Sequence, residues 1–110
     1  MDSVKTKVVE INDEEFSDIA AKDEFSLVAF GADWCPPCRV SQPILDKLSL
    51  KMDNVHFYHM NVDFNTKTPG HYNVMSIPTF ILLKNKSLKA KKVGLLLENE
   101  FKKWLEEETK

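Results

Sequence analysis

The chain has 110 residues, of which 43% are hydrophobic and 29% are charged, a balance that is typical of a soluble globular protein and excludes disordered or collagen-like classes. This length suits one compact domain over residues 1–110. The net charge is only −2 and the lysines are not gathered on one predicted face, so we expect no nucleic-acid partner.

The apolar segments of the chain are short. The longest runs, LVAF and FILL, fall well below the roughly 20 residues that span a bilayer. The polar opening MDSVKTKVVE lacks the apolar core of a secretory signal. We therefore expect no membrane segment and no export, and a cytoplasmic protein.

The residue patterns predict nine elements. Valine-rich or continuous apolar runs predict strands, and apolar residues spaced three or four apart predict helices. In chain order they are a strand at 4–11, a helix at 13–22, a strand at 25–32, a helix at 35–52, a strand at 55–62, a short helix or irregular connection at 64–73, strands at 79–84 and 88–93, and a helix at 98–108. This order predicts an α/β protein with a mixed sheet.

Several local signals support these elements. Asn12 followed by Glu15 is a capping-box pattern at the start of the first helix. The strand at 25–32 is apolar throughout, as expected for a strand buried on both faces. The predicted inward faces of the two long helices are Val40, Ile44, Leu45, Leu48 and Met52 in one, and Phe101, Trp104 and Leu105 in the other.

Both cysteines of the chain lie in the stretch DWCPPCRV, as Cys35 and Cys38. A disulfide across two intervening residues closes a very short loop and constrains the unfolded chain little. Reactivity therefore explains the pair better than structural stapling. A reactive pair also suits a reducing compartment, where lasting disulfides are rare.

The predicted position of this pair, after a buried strand and at the start of a helix, favours thiol chemistry. Free N–H groups and the macrodipole at a helix N-terminus stabilise an anion, so we expect a lowered pKa for Cys35, the nucleophile. Residues three apart on a helix can close a disulfide with slight adjustment. Pro36 and Pro37 preorganise the first turn and leave the N–H of Cys38 to donate to the sulfur of Cys35.

The motif ADWCPPC, with IPTF about forty residues downstream and VG before the last helix, resembles the thioredoxin family. The resemblance covers nearly the whole chain. It implies a three-layer α/β/α fold with a central mixed β-sheet. It also implies a protein disulfide oxidoreductase that needs no cofactor, acts on protein disulfides as a monomer, and is reset by a thioredoxin-reductase-type electron donor.

The resemblance also implies roles for the site residues. Cys35 attacks a substrate disulfide, Cys38 resolves the mixed disulfide, and Trp34 flanks the nucleophile. The bond from Ile77 to Pro78 is expected to be cis, which opens the backbone of Ile77 to an extended substrate segment. The third wall of this groove is expected at Val93, Gly94 and Leu95.

Three positions depart from the family pattern. Ala29 replaces a buried aspartate, and His59 stands where a lysine is common. We expect His59 to fill the space as a neutral imidazole, and the alternative is that it takes over proton transfer. Lys86 replaces the glycine usual in the hairpin turn, which leaves the turn type open.

Other readings of the same residues remain. Cys35 and Cys38 with His56 and His59 would supply four zinc ligands, but histidines three apart in a strand point to opposite faces, so no metal is expected. Trp34 could be a core aromatic rather than a groove residue, and Pro78 could be an ordinary trans residue.

Two other functions are weighed against a general disulfide reductase. One is a specialised reductase similar to tryparedoxins or nucleoredoxins, which also carry WCPPCR. The other is a binding module in which the thiols are incidental or regulatory. The intact C-x-x-C weighs against the module, and the missing carboxylate at Ala29 weighs for it.

Overall fold

The fold is built around a five-stranded mixed sheet, seen in a computed structural model that describes residues 5–110. The elements are β1 (Val9–Glu10), α1 (Asp13–Ala20), β2 (Phe25–Gly31), α2 (Pro36–Lys51), β3 (Val55–Asn61), α3 (Lys67–His71), β4 (Thr79–Lys84), β5 (Ser87–Val93) and α4 (Glu98–Glu108). The strand order is β1-β3-β2-β4-β5. Strands β1, β3 and β2 run parallel, and β4 and β5 pair antiparallel at the other side. The predicted element order and mixed sheet are confirmed.

Helices cover both faces of the sheet. Side chains alternate along the central strand β2, so Leu27 packs with residues of α2 and α4, whereas Val28 packs with residues of α1. On the first side the fully buried Phe101 meets Phe80 with ring centroids 4.7 Å apart. The two cores make β2 a strand buried on both faces and confirm the three-layer α/β/α arrangement.

The first strand is much shorter than the predicted 4–11, of which Val4 lies outside the described residues. The amide of Lys7 donates to the Ser49 hydroxyl and that of Val8 to the Thr6 hydroxyl, both at 2.9 Å. These donors are therefore not available to a strand ladder. Pairing with β3 is limited to Val9 opposite Tyr58 and Glu10 opposite His59.

Helix α1 begins with the predicted capping box. The Asn12 side chain accepts from the Glu15 amide and the Glu15 side chain accepts from the Asn12 amide, both at 3.0 Å. The helix ends at Ala20, two residues earlier than predicted. Its end is held by the hairpin turn, because the amide of Lys86 donates to the Ala20 carbonyl at 2.7 Å.

Helix α2 buries most of the predicted inward face, since Leu45, Leu48 and Met52 are buried and Ile44 is half-buried. Val40 is 49% exposed, so its assignment to the inward face is wrong. The buried stripe contains Cys38, Ser41, Leu45 and Leu48, which are spaced three or four residues apart. This spacing places Ser41, and not Val40, on the inward face. The Ser41 hydroxyl is satisfied there by donating to the Cys38 carbonyl at 2.9 Å. Orienting α2 in this way turns Cys38 toward the sheet.

The hairpin between β4 and β5 has a two-residue turn. Asn85 and Lys86 take φ values of 52° and 67°, the left-handed pair typical of a type I′ turn. Lys86 thus adopts a conformation that glycine adopts more easily, without changing the hairpin.

In α4, Phe101 and Leu105 face inward as predicted and Trp104 is half-buried. Over residues 5–110, no helix combines the length and apolar character that crossing a membrane requires.

Candidate active site

The cysteine pair lies where β2 ends and α2 begins. Cys35 is the N-cap of α2, and its Sγ accepts a hydrogen bond from the Cys38 amide at 3.3 Å, as predicted. Pro36 and Pro37 occupy the first two helical positions. Cys35 and Cys38 form a disulfide with Cα atoms 5.2 Å apart. The pair is therefore able to close without leaving the helical turn.

Trp34 lies at the surface beside the pair, 61% exposed, which excludes the core-aromatic reading. Its indole N–H donates to Oδ2 of Asp63 at 3.0 Å. Asp63 was not predicted as a site residue. Because β2 and β3 are parallel, the segments that follow them meet at one edge of the sheet, and Asp63 follows β3 as Trp34 follows β2. The parallel pairing of these two strands is the sequence signal that could have identified Asp63.

An apolar groove of about 530 Å³ opens next to Cys35. Trp34, Pro36 and Pro37 line it together with the segment before β4, including Met75, which is 91% exposed. The bond from Ile77 to Pro78 is cis, as the resemblance implied. The carbonyl oxygen of Ile77 lies 3.8 Å from Sγ of Cys35. The groove thus brings an apolar surface and an open backbone carbonyl to the nucleophile candidate.

The expected third wall is only partly joined to this groove. The amide of Gly94 donates to the Pro78 carbonyl at 2.8 Å, and Gly94 takes a φ of 95° that favours glycine. Val93 pairs with Thr79, the residue after Pro78. Val93 and Leu95 are exposed and do not line the groove. This segment lies beside the site rather than within its pocket.

A second pocket, of about 170 Å³, lies behind the pair, lined by Cys38, His59, Ala32, Asp33, Arg39 and Gln42. His59 pairs with Ala29 across β2 and β3, and its side chain is 17% exposed rather than fully buried. Nδ1 of His59 lies 2.7 Å from Oε1 of Glu10. Glu10 was not predicted as a site residue, because its position depends on the register of the two-residue strand β1.

The four residues considered as zinc ligands have other partners in the structure. His56 pairs with Glu24 at 3.2 Å, and His59 pairs with Glu10. Within residues 5–110, no three or more histidine, cysteine, aspartate or glutamate side chains are grouped to hold a metal ion. The disulfide occupies both cysteine sulfurs.

Comparison with known proteins agrees with this geometry. The thioredoxin family model matches residues 7–107. The chain is 38% identical over 97 residues to thioredoxin from Rickettsia prowazekii, covering 86% of this chain and 92% of that one. It is 36% identical over 103 residues to thioredoxin from Buchnera aphidicola (92% and 95% covered) and 39% over 93 residues to that from Haemophilus influenzae (83% and 87% covered). The chain therefore belongs to the thioredoxin family of thiol–disulfide oxidoreductases.

Proposed function

We propose that the protein reduces or exchanges disulfides in other proteins, with Cys35 as the nucleophile and Cys38 as the resolving thiol. The observation that carries this assignment is the hydrogen bond from the Cys38 amide to Sγ of Cys35 at the N-terminus of α2. Amide donors and the helix macrodipole stabilise a thiolate at this position. Cys38 lies one helical turn further along α2, so it is the thiol that attacks the mixed disulfide in the second step.

The cycle begins with reduced Cys35 attacking one sulfur of a substrate disulfide. The other substrate sulfur leaves as a thiolate, and a mixed disulfide joins Cys35 to the substrate. Cys38 then attacks Sγ of Cys35, and the substrate's second thiolate is released. Two electrons have passed to the substrate, and the Cys35–Cys38 disulfide remains.

The groove next to Cys35 supports a protein rather than a small molecule as substrate. Its apolar lining, which includes Trp34 and Ile77, suits side chains on either side of a substrate cysteine. The carbonyl of Ile77 is placed to accept a backbone N–H from an extended segment passing Cys35. Pro78 fixes this backbone, and Val93, Gly94 and Leu95 extend the contact surface beyond the pocket.

Family membership supports the rest of the assignment. A thioredoxin-reductase-type electron donor resets the disulfide, and no cofactor is needed because the two sulfurs carry the electrons. The protein acts as a monomer in the cytoplasm, with residues 1–110 as one domain. The family match extends over residues 7–107 and leaves little of the chain outside it.

Reduction of insulin by dithiothreitol tests the proposal. The native chain is expected to accelerate insulin precipitation catalytically, and Cys35→Ser is expected to abolish the acceleration. If the native chain has no activity, the remaining interpretation is a binding module with the same fold. A native chain active on a single peptide disulfide but not on insulin would favour a specialised reductase.

A further inference from the structure

We propose that Glu10 and His59 form a carboxylate–imidazole pair that accepts the proton of the Cys38 thiol when Cys38 resolves the mixed disulfide. This inference rests on the proposed function, since it concerns the second step of that cycle. It replaces the expectation that His59 only fills space.

The contact with Glu10 decides which nitrogen of His59 carries a proton. An ionised carboxylate can only accept hydrogen bonds, so Nδ1 of His59, 2.7 Å from Oε1 of Glu10, must be the protonated nitrogen. In the neutral ring the lone pair then lies on Nε2. The carboxylate also stabilises the imidazolium that forms when Nε2 takes a proton. Glu10 is thus a positioning residue, and His59 is the proton carrier.

Nε2 of His59 and the sulfur of Cys38 face the same point in space. A Cβ atom at position 31 would lie 3.1 Å from Nε2 and 3.3 Å from Sγ of Cys38, a space that is open because residue 31 is glycine. Both side chains also line the pocket of about 170 Å³. The pocket is lined in part by the polar residues Asp33, Arg39 and Gln42 and is large enough for a water, so a proton can pass through one intervening water.

The other groups around the pocket are less suited than His59 to accept the proton of Cys38. From β2, the residue opposite His59 is Ala29, which carries no charge. From the start of α2, Arg39 lines the pocket, but its Nε donates to the Asp33 carbonyl at 2.9 Å. Asp33 also lines the pocket and is an exposed residue. Of the acids within residues 5–110, Glu10 from β1 is the one in contact with the imidazole.

The step balances without another reactant. The S–H bond of Cys38 breaks and its proton goes to Nε2 of His59. The sulfur's electron pair forms the bond to Sγ of Cys35, and the bond from Cys35 to the substrate sulfur breaks. The substrate leaves as a thiolate that takes a proton from water, and imidazolium later returns its proton to solvent.

Rapid kinetics of the reduced full-length protein with a peptide disulfide separates the two steps. Attack is followed as formation of the mixed disulfide in a Cys38→Ser background, and resolution as peptide release in the native background. In His59→Gln we expect resolution at neutral pH to slow about 100-fold, the low end of the usual contribution of general base catalysis, while attack is unchanged. His59→Gln should also change the pH dependence of resolution while leaving that of attack unchanged.

Two variants complete the test. Glu10→Gln keeps an acceptor for Nδ1 without the charge, at a residue whose side chain is 61% exposed, and should slow resolution by less than His59→Gln. His56→Gln, on the same strand but paired with Glu24, is the matched control and should behave as native. An unchanged resolution profile in both His59→Gln and Glu10→Gln, or equal slowing of both steps, would overturn the inference. Absence of attack in the Cys38→Ser background would instead overturn the proposed function.

Discussion

The Cys38 amide is the first N–H of helix α2 that the chain can offer to Sγ of Cys35, and it donates across 3.3 Å. Pro36 and Pro37 fill the two preceding helical positions and have no N–H. An N-cap side chain normally accepts from the second or third helical residue. The sequence thus restricts the capping of Cys35 to one donor.

Replacing Pro37 with alanine should add a second donor to Cys35. A hydrogen bond to a charged group contributes about 1.5–3 kcal/mol. We therefore expect the midpoint of the pH profile for Cys35 alkylation to fall by roughly one pH unit, which corresponds to about 1.4 kcal/mol. The measurement is the rate of iodoacetamide reaction with the reduced protein across pH. Pro36→Ala is the control, since the first helical amide is not within reach of the cap; equal shifts in both variants would contradict this account.

The hydrogen bond from Trp34 to Asp63 should orient the indole at the groove. Trp34→Phe and Asp63→Ala are each expected to lower kcat/KM for insulin about two- to tenfold, and the double variant should lose no more than the stronger single one. Fully additive losses in this double-mutant cycle would show that the two side chains act separately. Thermal unfolding should change little, because both residues are exposed.

Gly31→Ala should disturb the pocket between His59 and Cys38. The added Cβ would lie 3.1 Å from Nε2 of His59, a contact tighter than usual, so the ring must shift. We expect slower peptide release at neutral pH with unchanged attack by Cys35. Gly70→Ala is the matched control, since no atom of residues 5–110 lies within 4 Å of its added Cβ. Release as fast as native in Gly31→Ala would show that the space at residue 31 is not needed.

Asp13 links the start of α1 to the start of α3 and should make stability depend on pH. Burial raises the pKa of Asp13, but hydrogen bonds from Thr68 and Lys67 lower it more, so the net pKa lies below the usual value. A lowered carboxyl pKa adds stability that is present above the unfolded value, near 3.9, and is lost as pH falls through the folded value.

Asp13→Ala should therefore lower the free energy of unfolding by about 0.5–2 kcal/mol at pH 7, as for the loss of a helix cap. The difference from native should shrink as pH falls below about 4. Urea denaturation at several pH values measures it, and Asp18→Ala, an exposed position on the same helix, serves as the control. A difference that stays constant down to pH 2 would be inconsistent with the lowered pKa.

Features that depend on local sequence were predicted well. The capping box at Asn12, the N-cap position of Cys35 and the hairpin each involve residues within a few positions of one another. Their geometry follows from dihedral preferences and nearby hydrogen bonds, which the residue types determine.

Features that depend on distant contacts were not predicted. Residues 5–8 of the predicted strand 4–11 do not join the ladder, because the Lys7 amide donates instead to the Ser49 hydroxyl, 42 positions away. Val40 was misplaced because packing of α2 on the sheet, rather than its own spacing, selected the buried stripe. Glu10 reaches His59 through the register of β1 with β3. Residue spacing along one segment contains none of this information.

The assignment of Cys35 as nucleophile and Cys38 as resolving thiol can be tested directly by mass spectrometry after reduced variants are mixed with a peptide disulfide. Cys38→Ser should accumulate a mixed disulfide between Cys35 and the peptide, since the attacking sulfur is present and the resolving one is missing. Cys35→Ser should accumulate almost none, because Cys35 and not Cys38 lines the groove and accepts the stabilising Cys38 amide. Trapping through Cys38 in Cys35→Ser at a rate equal to that of Cys38→Ser would contradict the assignment of Cys35 as the nucleophile.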